Sequence, residues 1–274
     1  MHVKIFKSIL FFLIIFFAIS IAADLYYYNK VVQKGENGQI SYSDFRVFWF
    51  AGYYLRHHIV TFWDTPKGYP YFRQFWFLDP RLRNEPIHRA RPDQYPVYNK
   101  NEEFYHFRYS PFVAFILMPI GMIAPPAKAL LVWYAILNIS FLSALVLISG
   151  HFYIAGSRSY KIWYISLLAI FLAGLRFYLT NISLGQTDIL MLLFFVLFML
   201  CYVKDRDILC GIAFALILQL KPFFAPALLY FLFTKRIKIV ISTVVSFFCF
   251  LSIPGYMLGA AKTIELSREW FDIL

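Results

Sequence analysis

Phe112-Val113-Ala114-Phe115-Ile116-Leu117-Met118-Pro119-Ile120-Gly121-Met122-Ile123, closed by Ala124-Pro125-Pro126, is the stretch that sets which side of a membrane every later loop occupies. It is apolar throughout, yet a helical crossing of a ~30 Å hydrocarbon core takes about 20 residues. A re-entrant or interfacial helix is the expectation. Charge agrees. If this piece does not cross, Ala129–Ser149 runs inward, Ile162–Leu175 outward and Thr187–Val203 inward. The Arg158/Lys161 loop and Lys204-Asp205-Arg206-Asp207 then fall in the cytoplasm, with Arg176–Gln186 outside. The Ile208–Leu220 arm rises to Lys221-Pro222, Phe223–Thr234 descends, and Lys235-Arg236-Ile237-Lys238 is again inside. Ile239–Gly255 crosses outward to the tail. Counted as a span, Phe112–Ile123 would put most of these basic loops outside, against the positive-inside rule.

Upstream, Lys4 and Lys7 precede an apolar run from Ile9 to Ala23. It is long enough for a first span with its basic end inside, although Ser20-Ile21-Ala22-Ala23 also resembles a signal-peptide cleavage site. Residues 24–108 form the large first outer loop on that orientation. Pro66, Pro70, Pro80, Pro86, Pro92 and Pro96 break any long helix there. The aromatic and basic side chains between them suit a loop lying in the headgroup layer. Basic-plus-aromatic is also the ingredient list for single-stranded nucleic acid, but this loop adjoins membrane spans.

The chain of 274 residues is 61% hydrophobic and 21% aromatic, against roughly 45–50% apolar for a soluble domain. It is an all-α polytopic membrane protein, with about seven transmembrane spans plus re-entrant or interfacial helices. No Gly/Ser linker divides it, so residues 1–274 are expected to form one helical bundle. The net charge of +11 sits beside apolar spans, where topology and anionic headgroups account for it better than nucleic acid does. Cys201, Cys210 and Cys249 have no pairing framework and carry no redox or metal message. The adjacent His57 and His58 diverge on a helix, so no zinc site is expected. No glycine-rich phosphate loop follows a strand, which removes a nucleotide fold. The Asn138-Ile-Ser140 sequon lies inside a predicted span, out of reach of glycosylation.

Several polar residues could carry chemistry. Ser43-Asp44-Phe45-Arg46 puts one carboxylate at the head of an aromatic helix, Val47 to Arg56, that is apolar nearly all round. Ser43 or Asp44 can be an ordinary N-cap, or Asp44 can act on a substrate at the membrane face. The topology gathers Asp44, Arg46, His106, Arg108, Gln186, Asp188 and Lys221 at that outer face. Lys221 lies between two short apolar arms, so it sits below the surface, where a charged residue is a functional candidate. The plain alternative is a lysine snorkelling to the headgroups. Leu184-Gly185-Gln186-Thr187-Asp188 opens a helix, a place that favours an anion or hydroxyl-rich ligand, or simply a cap by Thr187 or Asp188.

Four motifs then occur in order: Ser43-Asp44-Phe45-Arg46-Val47-Phe48-Trp49-Phe50-Ala51-Gly52, Phe107-Arg108-Tyr109-Ser110-Pro111-Phe112, Leu184-Gly185-Gln186 and Leu220-Lys221-Pro222. In this the chain resembles the bacterial polyprenyl-phosphate-mannose-dependent mannosyltransferases of glycosyltransferase family 87, with the GT-C fold. The resemblance implies a cytoplasmic-membrane enzyme that takes a sugar, mannose first among candidates, from a lipid phosphate carrier. It hands the sugar to a lipid or glycan acceptor on the outer side. The resemblance also implies that Asp44 is the catalytic base; the residues grouped with it, Arg46, His106, Arg108, Tyr109, Gln186, Asp188 and Lys221, are the expected substrate contacts. Two departures stand out. Residues 59–95 look like an insertion, and the chain stops at Leu274, where members of the family continue through further spans. A partner chain or a longer form is expected to complete the acceptor site.

The chemistry needs only one carboxylate. Glycosidases usually use two, one to protonate a poor leaving group. A lipid phosphate leaves already stabilised as an anion, so a base for the acceptor hydroxyl and cations for the phosphate remain. Asp44 supplies the first; Lys221, with Arg46 or Arg108, supplies the second. An inverting transfer without nucleotide, cofactor or metal follows. The competing expectation is a lipid-linked-sugar flippase or a non-enzymatic membrane partner. A transporter should show internal repeats with paired broken helices, and only one broken hairpin is visible.

Overall fold

The computed structural model describes residues 2–33, the positions Phe45, Phe48, Trp49, Ala51 and Gly52, and residues 109–123, 126–155 and 160–273. All regular structure among them is helical. In order these are α1 (His2–Gln33), α2 (Pro111–Gly121), α3 (Pro126–Ala155), α4 (Tyr160–Leu184), α5 (Asp188–Val203) and α6 (Asp207–Leu220). A 3₁₀ turn (Pro222–Phe224) follows, then α7 (Ala227–Phe233), α8 (Ile237–Ser252), α9 (Gly255–Leu258) and α10 (Ala260–Ile273).

Among the described residues, four stretches are long and apolar enough to cross a membrane: Phe11–Lys30, Ala127–His151, Leu167–Leu184 and Ile237–Leu258. The other apolar helices of the described residues are shorter. At 11 residues α2 reaches about 17 Å, roughly half a hydrocarbon core. Ser110 caps it, accepting the Val113 N–H at 3.4 Å, and Pro111 occupies its first turn, where a missing N–H costs nothing.

Three expected boundaries move. The first helix runs well past Ala23, to Gln33, because Asp24 and Lys30 end an apolar run without breaking a helix. The helix expected to stop at Leu175 continues to Leu184. Arg176 is exposed on it and can snorkel, and the first effective stop is Gly185. The expected descending arm Phe223–Thr234 is a 3₁₀ turn and a 7-residue helix, since Pro222 and Pro226 remove donors from any continuous helix.

Three helix ends close in the same way. Gln186 N–H donates to Asn181 C=O and Gly185 N–H to Ile182 C=O; Arg206 and Asp205 do so to Cys201 and Tyr202, and Arg236 and Lys235 to Phe231 and Leu232. Each is a Schellman closure with its penultimate residue left-handed. Gly185 adopts that conformation (φ 67°) at no steric cost, whereas Asp205 (φ 52°) and Lys235 (φ 58°) carry a Cβ there.

The chain divides into two compact units, Met1–Tyr27 with Trp133–Phe247, and Tyr28–Val132 with Phe248–Leu274. In the first, Phe12 and Phe16 of α1 meet Phe141 of α3 and Phe171 and Tyr178 of α4, ring centroids 4.8–6.4 Å apart. α5 and α6 form an antiparallel hairpin cored by Phe198, Phe214, Ile217 and Leu218, against which Phe231 of α7 and Ile239 of α8 pack. Gly211 lets α8 come close: a Cβ there would lie 2.6 Å from the Ser242 Cβ and 2.7 Å from the Ile239 carbonyl oxygen. Ser242 fixes the same crossing by donating to Ile208 C=O at 2.8 Å. Where lipid surrounds a bundle, such close packing replaces the hydrophobic effect as the force between helices.

In the second unit the aromatic segment packs on α2. Phe45, Phe48, Trp49 and Ala51 are all 1% exposed or less. Trp49 Nε1 donates to Ile123 C=O at 2.9 Å. A Cβ on Gly52 would meet the Leu117 carbonyl at 2.2 Å, so only glycine fits there. Phe112 stacks on Phe250 at 4.8 Å. The tail is not a bare end: α10 is an amphipathic helix that buries Thr263, Leu266 and Trp270 and touches α2.

Candidate functional site

The sequence groups seven polar residues with Asp44, and the structure places some of them. Asp44, Arg46, His106 and Arg108 lie outside the described residues. Tyr109 is described in the second unit, where its ring meets Phe48 edge-on at 5.0 Å. Gln186, Asp188 and Lys221 all belong to the first unit.

Asp188 and Lys221 are brought together. The hairpin folds α6 back along α5, so the first residue of α5 meets the residue that ends α6. Lys221 Nζ lies 2.5 Å from Asp188 Oδ1, with the two side chains 27% and 18% exposed. Pro222 explains why the lysine is here. The residue before a proline is pushed out of the α region, and Lys221 is extended at φ −143°, ψ 91°. Its own N–H still closes α6 on Ile217 C=O at 2.8 Å, so the side chain leaves from a fixed root at the broken joint.

The cap expected at this helix start is absent in its side-chain form. Thr187 makes no side-chain cap bond, and the Asp188 carboxylate goes to Lys221 instead. Its negative charge still sits in the first turn of α5, where the helix dipole favours it. Gln186 emerges beside it at the closure of α4, and that closure is anchored by Trp133 Nε1 donating to Gly185 C=O at 2.8 Å. The pair can hold an anion by exchanging partners, or stay closed as a salt bridge.

A second polar group escaped the sequence reading. Asp24 of α1 accepts from Asn138 Nδ2 at 2.7 Å, and Tyr178 of α4 donates its hydroxyl to Asn138 Oδ1 at 2.5 Å. Asp24 Oδ1 is buried without a hydrogen-bond partner among the described residues. The signal was present as a carboxylate inside an apolar helix and an amide inside a span, both costly in lipid unless paired.

At the far end of the hairpin, Arg236 donates to Asp207 Oδ1 at 2.9 Å and to Asp205 Oδ1 at 2.6 Å. Its guanidinium lies 4.5 Å over the Tyr202 ring, a cation–π contact. The Asp207 bond and the Asp205 carboxylate raise its pKa above the usual arginine value. No cluster of metal-ligating residues occurs among the described residues, and Cys201, Cys210 and Cys249 are free thiols.

The family model for glycosyltransferase family 87 matches residues 107–274, and the chain belongs to that family. Neither the curated proteins nor the solved structures contain a match.

Proposed function

From membership of glycosyltransferase family 87, we propose that the chain is a GT-C-type membrane enzyme. It moves a sugar, mannose first among candidates, from a polyprenyl phosphate to an acceptor hydroxyl on the outer face of a bacterial cytoplasmic membrane. The observation that carries the reading is Lys221, a partly exposed cation rooted at a broken helix joint and held, among the described residues, by a single counter-ion. Asp44 takes the proton of the acceptor hydroxyl as that oxygen attacks the anomeric carbon. The bond from that carbon to the phosphate oxygen breaks with inversion, and the electron pair leaves on polyprenyl phosphate. Lys221 meets the phosphate before and after, with Arg46 or Arg108 as a second cation. Gln186 and Tyr109 are proposed as donors and acceptors to substrate hydroxyls, and His106 as a further contact. No cofactor is invoked.

The topology proposed with this reading has about seven crossings, with α2 re-entrant and the first loop outside. It predicts that a single cysteine at position 90 is labelled from outside and one at Lys238 is not; the reverse pattern overturns the site assignment. The chemical test uses purified protein and labelled polyprenyl-phosphate sugars. Asp44→Asn is expected to keep donor affinity and cut single-turnover transfer by roughly 10²–10⁴, the usual worth of a general base. Asn can still cap a helix, so near-normal transfer would remove the base and leave Asp44 a cap.

A further inference from the structure

We propose that Asp188 is a displaceable counter-ion that releases the product by reclaiming Lys221; this rests on the reading of Lys221 as the phosphate-binding cation. The contact is a direct charge-assisted hydrogen bond, with Nζ and Oδ1 2.5 Å apart. Both side chains remain partly exposed, so an incoming anion reaches the lysine without taking the bundle apart. The Lys221 backbone is pinned by Pro222 and by the Ile217 carbonyl. An exchange of partner therefore needs only the flexible lysine stem to turn. Asp188 is not stranded when the lysine leaves, because it sits in the first turn of the 16-residue α5, beside backbone N–H groups that favour a negative charge.

The exchange matters because the two anions differ. The sugar donor is a phosphodiester with a single negative charge. The product is a phosphomonoester, which carries roughly 1.5–2 negative charges near neutral pH, as other phosphomonoesters do. Lys221 alone would hold the product harder than the donor and slow turnover. A carboxylate within reach competes for the same ammonium and weakens both complexes. Donor binding opens the pair, transfer raises the charge on the phosphate, and return of Asp188 to Lys221 expels the carrier.

The test measures binding of a short-chain prenyl monophosphate to the full chain in detergent, with the matching prenyl alcohol as control. Asp188→Asn removes the competitor and is expected to tighten the monophosphate about fivefold, the worth of a partly exposed pair of roughly 1 kcal/mol. Its steady-state turnover should fall while its first turnover does not. Asp188→Glu keeps the competitor and should bind like wild type. Asp188→Ser should tighten as Asn does, and it replaces the Asn variant if that chain does not fold. Adding Lys221→Gln to Asp188→Asn should abolish the gain. Unchanged or weaker binding in both uncharged variants, with Lys221→Gln still weakening the monophosphate, overturns the counter-ion role alone. Wild-type affinity in Lys221→Gln overturns the phosphate reading of Lys221, and the counter-ion role falls with it.

Discussion

Among the described residues, Arg236 at one end of the α5–α6 hairpin is held by two carboxylates and an aromatic face; at the other, Lys221 is held by one carboxylate. The same two helices supply Asp207 and Asp188, and both cations are 27% exposed. The difference lies in the number of partners and in the cation. A guanidinium offers a rigid fork of five donors and stacks on rings, so each contact at Arg236 reinforces the others. An ammonium on a four-carbon stem has no such geometry to defend. Among the described residues, one end is fastened from several directions and the other by one bond. Ion pairs of similar length can therefore serve stability at one place and ligand exchange at another.

Breaking the comparison should separate two measurements. Lys221→Gln is expected to have the largest effect, a loss of transfer on the order of tenfold to a hundredfold, since removing a charge-assisted phosphate contact takes about 1.5–3 kcal/mol. Its thermal midpoint should stay close to that of wild type. A large drop in midpoint with normal transfer would make Lys221 a fastener like Arg236. Arg236→Gln should do the reverse. It leaves Asp205 and Asp207 facing each other and should lower the thermal midpoint, modestly because the pair with Asp205 is exposed to solvent. Transfer per folded molecule should hold within about threefold, a margin of under 1 kcal/mol. The smallest effect sharpens the contrast in backbone terms. Lys235→Gly relieves a left-handed residue at the end of α7 and should raise stability by about 0.5–1 kcal/mol, read as a small upward shift in thermal midpoint. No gain would mean that the Lys235 side chain makes a contribution of its own.

Much of the bundle was legible because a long apolar run has few alternatives in a membrane. Ala129–Ser149 and Ile239–Gly255 fall inside α3 and the α8–α9 crossing. The errors share one cause. Arg176 and Asp24 read as ends of apolar runs, whereas helices end at backbone signals, and the next one after Arg176 is Gly185. Pro226 was a backbone signal that hydropathy overrode. In α10 the buried set Thr263, Leu266 and Trp270 has helical spacing, but charged neighbours hid it.

Of the candidate site, Asp188 and Lys221 were legible as residues but not as a pair. Asp188 and Lys221 were each named from their place at a helix break, while their pairing depends on the hairpin folding back. The structure also gives parts of the motifs a backbone role. Ser110 and Pro111 start α2, Gly185 closes α4, Pro222 ends α6, and Gly52 admits the backbone at Leu117. Those residues answer to backbone geometry. The side chains of Lys221 and Gln186 in these motifs, and of Asp188 beside them, are not required by it.

Asp24 sets a problem of timing. It leaves the ribosome with the first helix, and its hydrogen-bond partner Asn138 follows 114 residues later. At about 5–20 residues per second, the carboxylate waits on the order of 5–25 s before α3 arrives, and longer for Tyr178. During that interval α1 carries an unmatched acid through the insertion machinery, where a charged residue at the centre of a helix costs roughly 2.5–3.5 kcal/mol. The arrival of α3 ends the penalty and ties the first-made helix to a later one. The hydrogen bond that relieves Asp24 thus forms only once α3 lies beside α1.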